Sequence, residues 1–196
     1  MRTTLLRALC AAILLLLPVA AGADSLAPGT LELAPSFSFG HSSLSASGNN
    51  LENSTTVNLN TTVGYCFTGP LELAGTVLLG YQSFSLGGGY SASTSLTLTG
   101  ITGGLIYNFN TASGPMIPFA EAGIGVVGYS GDLAVGTTAT VIAPTVSIGT
   151  RVMVGHSGSV NFAFNYEHQL HAGGIDQVDA NNFGLSVGMS LFPIRH

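Results

Sequence analysis

Across 196 residues only 7% of positions are charged against 46% hydrophobic, and beyond residue 23 only Arg151 and Arg195 face nine acids, with no lysine anywhere. Phosphate recognition needs clustered Lys and Arg, so nucleic acid is excluded as a partner. The length suits one domain, and Cys66, the single cysteine after residue 23, leaves no internal disulfide to form.

Residues 1–23 open with Arg2 and Arg7, run apolar from Ala8 to Val19 and close on Ala21-Gly22-Ala23, a small-x-small pattern. These are the parts of a secretory signal peptide. The apolar part is about a dozen residues, whereas a spanning helix needs ~20. Cys10 lies at the start of the apolar core, where it cannot serve as a lipoprotein acylation site. The expected organisation is a signal peptide over 1–23 and one domain over 24–196.

Eight segments with period-two alternation then predict strands over 30–41, 56–67, 71–82, 94–109, 117–129, 139–154, 159–169 and 182–192. In the second, Val57, Leu59, Val63, Tyr65 and Phe67 oppose Asn58, Asn60, Thr62, Gly64 and Cys66. In the seventh, Val160, Phe162, Phe164, Tyr166 and His168 oppose Asn161, Ala163, Asn165, Glu167 and Gln169. The fourth breaks phase, with Leu96 and Leu98 on one side and Ile101, Leu105, Tyr107 and Phe109 on the other. A bulge near Gly100 is the expectation there. Short connectors follow the even strands, and longer ones, near 42–55, 83–93, 130–138 and 170–181, follow the odd strands.

Periodicity does not say which face points inward, but composition does. A solvated polar face would be rich in Lys, Asp and Glu, and this one holds mostly Gly, Ala, Ser, Thr and Asn. Small residues suit the crowded interior of an eight-stranded barrel, whose apolar face then meets lipid. Tyr65, Phe67, Tyr107 and Phe109, beside the short turns, fit an interfacial aromatic girdle.

On the face assigned to the lumen lie Glu32, Glu72, Glu121, Arg151 and Glu167. A buried guanidinium requires carboxylate partners and its planar fork can take two. Arg151 sits on a strand flanked by those bearing Glu121 and Glu167, so a charge network plugging the barrel is expected. His168 and His171 lie three apart, but two histidines without a third ligand do not make a metal site. The glycines at 87–89 do not sit between a strand and a helix, so they form no phosphate loop. No cofactor is expected.

The signal segment, the eight amphipathic strands, Ile117-Pro118-Phe119-Ala120-Glu121-Ala122-Gly123-Ile124-Gly125 and the closing Gly184-Leu185-Ser186-Val187-Gly188-Met189-Ser190-Leu191-Phe192 resemble the small outer-membrane β-barrel family of outer-membrane protein A-like and opacity-type proteins. That resemblance implies an all-β, eight-stranded, antiparallel up-and-down transmembrane barrel in the outer membrane. Outer-membrane lipid and the barrel-assembly machinery are the partners it implies. The family usually ends on an outward aromatic, whereas here Phe192 falls one position out of phase with Leu191.

A weaker resemblance is to lipid A deacylases, whose motif is similar around His168 and Ala172-Gly173. Leu170 stands where that motif has serine and His171 where it has asparagine. Without a hydroxyl beside the base there is no nucleophile for acyl transfer. The sequence therefore points to a non-catalytic integral outer-membrane barrel that contributes to envelope structure and meets ligands, surfaces or other cells through its loops. The rival readings are a deacylase-like hydrolase, a small porin-like channel and a soluble secreted ligand-binding barrel.

Overall fold

A computed structural model describes residues 26–46, 49–85, 93–109, 115–131, 139–154, 157–170 and 178–194. The expected signal segment, Arg195, the glycines at 87–89 and His171 to Gly174 lie outside the described residues. The strands are β1 (Leu31–Ala46), β2 (Asn49–Cys66), β3 (Leu71–Ser85), β4 (Ser93–Asn108), β5 (Met116–Gly131), β6 (Ala139–Met153), β7 (Gly158–Gln169) and β8 (Val178–Ile194). Each pairs antiparallel with the next, and β8 pairs with β1 to close the barrel. Among the described residues there is no helix.

The alternation in sequence becomes the wall of the barrel. Outward Leu33, Phe37, Leu59, Val77, Ile101 and Leu185 are 40 to 65% exposed, while inward Glu32, Ala74, Ile106, Val127 and Ser190 are buried. A contiguous apolar exterior of this extent is foreign to a water-facing surface, so the reading as a soluble barrel with its apolar face inside is overturned. On β3 the apolar stretch runs outward from Leu73 to Tyr81. At about 3.3 Å per residue and a tilt of about 40° it covers roughly 20–25 Å of height, the thickness of a membrane barrel's apolar band. Tyr65, Phe67, Tyr107 and Phe109 all face outward at one rim, with Tyr107 and Phe109 edge to face at 4.9 Å.

Two expectations about the strands are corrected. The long connector over 42–55 is largely strand, because β1 and β2 stay paired as far as Ala46 and Asn49. There is also no bulge at Gly100, since β4 pairs with β3 and β5 in unbroken register. Leu98 instead points inward and packs with Val127, Tyr129 and Ala143. One arc of the interior is thus apolar, which is why apolar residues occur in both phases of β4.

Below the first strand the chain folds back across the barrel end. Thr30 N donates to Ala27 O at 3.2 Å, and Gly29 has φ of 87°. Pro28 and Gly29 are therefore the two central residues of a type II turn, where the second must tolerate positive φ. Gly29 N and Cys66 O at 2.7 Å, and Cys66 N and Thr30 O at 2.9 Å, tie this turn to the end of β2. The turn places Leu26 inside the barrel mouth, fully buried with Cys66, Ile117 and Phe192, and with Met153 packed against them.

Candidate functional site

In an up-and-down barrel the starts of odd strands and the ends of even strands share one rim. Inward residues from those positions must therefore converge. Glu32 starts β1, Glu72 starts β3, Asn108 ends β4, Arg151 lies near the end of β6 and Ser190 near the end of β8. All five are buried, Arg151 being 3% exposed, Glu32 1% and Glu72 0%.

Arg151 organises them. Its Nη2 donates to Glu32 Oε2 at 2.7 Å and to Glu72 Oε2 at 3.0 Å, and its Nη1 donates to Asn108 Oδ1. Asn108 Nδ2 in turn donates to Glu72 Oε2 at 3.2 Å. The second oxygen of Glu32 accepts from Ser190 Oγ, which itself accepts from Asn161 Nδ2. The Phe119 ring centroid lies 5.0 Å from the guanidinium carbon, within cation–π range. Glu72 gains its place from a neighbour without a side chain, since a Cβ at Gly64 would land on the Glu72 carboxylate.

The clamp crosses the lumen. Glu32 on β1 and Glu72 on β3 are each three strands away from β6 around the wall, so Arg151 joins distant parts of the circumference. The neighbouring-strand acids do not join it by any ion pair. Glu121 lines the lumen one inward position beyond Phe119. Glu167, near the end of β7, lies toward the opposite rim, where its Oε1 accepts from Gln169 Nε2 at 2.7 Å and Asn182 Nδ2 at 2.8 Å. Strand direction alone separates Arg151 from Glu167, and that signal was present in the sequence. Asn108, Ser190 and Leu26 were missed. The first two share the luminal phase of their strands, and Pro28-Gly29 marks the turn that places the third.

Beneath the clamp sits the apolar layer of Leu26, Cys66, Ile117 and Phe192, so one rim is closed by a polar bracing and then by packed hydrocarbon. Above the clamp the lumen opens into a cavity of ≈ 210 Å³. Its β1, β2, β7 and β8 walls carry Ser, Thr and Asn, whereas Leu78, Leu98, Ile106 and Val127 line the facing arc. On the outside of the barrel, His168 Nδ1 lies 3.0 Å from Asn181 Oδ1, which also accepts from Tyr166 Oη at 2.8 Å. Among the described residues no serine bonds to His168, and no three His, Cys, Asp or Glu side chains gather as a metal site.

A family model described as the outer membrane protein beta-barrel domain matches residues 9–190. Of solved structures, Neisserial surface protein A (NspA) is 20% identical, with 82% of this chain and 96% of that one covered at a TM-score of 0.55. OprG from Pseudomonas aeruginosa is 12% identical, with coverage of 85% and 97% and a TM-score of 0.57. At such identities the likeness to both is one of fold. No curated protein matches this chain in sequence.

Proposed function

This chain belongs to the outer membrane protein beta-barrel domain family, and from that premise we propose that it is a non-catalytic envelope protein, exported by residues 1–23 and seated by the barrel-assembly machinery. Its barrel braces the outer membrane, and its loops meet ligands, surfaces or other cells. The observation that carries the reading is the rim closed by the Arg151 clamp with Leu26, Ile117 and Phe192 packed beneath it. In the orientation usual for such barrels, strand termini and short turns face the periplasm, so the closed rim is the periplasmic one.

Closure argues against a porin-like role. A conducting path would have to break a buried ion pair, and leaving one partner uncompensated costs about 3–5 kcal/mol. The deacylase-like reading finds no nucleophile among the described residues, where His168 pairs with Asn181 and not with a serine. The test is to express the full chain in a Gram-negative host, isolate outer membranes, and reconstitute the purified protein in planar bilayers. A membrane-bound band that shifts on boiling, together with silent bilayers, is expected. Steady open-channel current would overturn the closed-barrel reading.

A further inference from the structure

We propose that the cavity above the clamp is a dead-end binding site for a small organic cation, specifically a primary alkylammonium entering from the loop end. The inference is independent of what the loops contact. Four glutamates, Glu32, Glu72, Glu121 and Glu167, face the lumen, and Arg151 is the only arginine among the described residues of a chain without lysine. Arg151 is held by Glu32 and Glu72. Among the described residues Glu121 and Glu167 are therefore left facing the cavity without an ion-pair partner. They flank β6 from either side, Glu121 opposite Ser147 and Glu167 opposite Thr145.

The neutral lining has the same bias. Thr56 lines the cavity at 7% exposure, and its Oγ1, able to accept as well as to donate, has no hydrogen-bond partner among the described residues. Asn60 and Asn182 each donate through Nδ2, to Ser38 and Glu167, yet their Oδ1 atoms are buried without a donor, as is Asn58 Oδ1. Buried acceptors without donors are costly, so a guest that relieves them must bring hydrogen-bond donors, and the carboxylates of Glu121 and Glu167 favour donors that carry positive charge. An ammonium brings three donors and a positive charge, and no acceptor. The opposite arc supplies the rest of the specificity, because Leu78, Leu98, Ile106 and Val127 present hydrocarbon to the same space. A volume of ≈ 210 Å³ equals roughly seven waters, which suits a short alkyl chain behind the ammonium head.

The clamp makes the site a pocket and not a passage. A cation arriving at the floor meets Arg151, whose charge repels it, and the apolar layer beneath. Bound amine is retained above the clamp, on the side of the cavity where Glu121 and Glu167 flank β6.

The experiment uses the full chain, refolded into nanodiscs and titrated calorimetrically with methyl-, ethyl-, propyl- and butylammonium, with empty nanodiscs subtracted. Expected is saturable one-to-one binding that tightens about three- to fourfold per methylene. Butanol and butyrate should bind at least about tenfold more weakly than butylammonium. Glu121→Gln and Glu167→Gln, checked for folding by their mobility shift on boiling, should each weaken butylammonium about tenfold. Absence of binding would overturn the proposal, as would equal affinity for butanol or unchanged affinity in the folded double variant. Displacement of butylammonium by equimolar sodium would overturn it too, since the pocket would then be a site for any cation. The homologous series on the unsubstituted protein keeps the proposal testable should either variant fail to fold.

Discussion

Arg151 on β6 meets Glu32 on β1 at 2.7 Å across the lumen, passing over both neighbouring strands and the acids they carry. The contact is a brace across the cross-section of the barrel. Its loss should be felt by the whole structure.

Replacing Arg151 by Met strands two buried carboxylates. The expected loss is about 3–5 kcal/mol of unfolding free energy, measured by urea titration of the barrel in lipid vesicles. The triple variant Arg151→Met, Glu32→Gln, Glu72→Gln removes the uncompensated charge along with the brace, so it should be more stable than Arg151→Met alone. A triple variant as unstable as the single would locate the loss in packing instead.

The outward belt gives a second test. Val77, 56% exposed, lies midway along the apolar stretch of β3, so Val77→Arg should destabilise the barrel in bilayers by about 2–4 kcal/mol. On a water-facing surface the same change would stay within about 0.5 kcal/mol. Vesicle unfolding curves separate these outcomes.

Gly64 is required for its lack of a side chain, because a methyl group there would displace the Glu72 carboxylate from the clamp. Gly64→Ala should cost about 1–3 kcal/mol. In a Glu72→Ala background the penalty should fall to about 0.5 kcal/mol or less, since the colliding group is gone. A full thermodynamic cycle of the two substitutions reads the coupling directly.

His168 joins Tyr166 through Asn181 on the outer face. His168→Ala should therefore remove a hydrogen bond worth about 0.5–1.5 kcal/mol and leave lipid A acylation unchanged. Mass spectrometry of lipid A from cells with and without the chain checks this. Acyl loss that depends on His168 would restore the hydrolase reading.

Much of this architecture was legible from side-chain alternation, because a closed barrel in lipid turns hydropathy directly into inward and outward faces. The outer ends of the strands were not legible. Past the apolar belt, β1 and β2 continue as Ser- and Asn-rich backbone ladders, and backbone pairing leaves no hydropathy signature. Leu98 misled for a related reason. An apolar residue need not face outward, because one luminal arc is itself apolar and Leu98 packs there against Val127. The charged residues of the lumen were visible by phase, but their partnership was set by strand direction and by reach across the bore. Adjacent strands suggested Glu121 and Glu167 for Arg151, and the geometry gave it Glu32 and Glu72.

The clamp also sets an order of events. Arg151 lies 119 positions after Glu32, and Ser190 lies 158 positions after the same carboxylate. Contacts so remote in sequence form late, once the loop-closure entropy between them has been overcome. A chain halted before β6 carries Glu32 and Glu72 without their counter-charge, and one halted before β8 has no closed wall in which to bury them. Unpaired charge is costly wherever water is scarce, so a barrel without β6 leaves Glu32 and Glu72 without their counter-charge, and the clamp belongs to the late, long-range contacts of the fold.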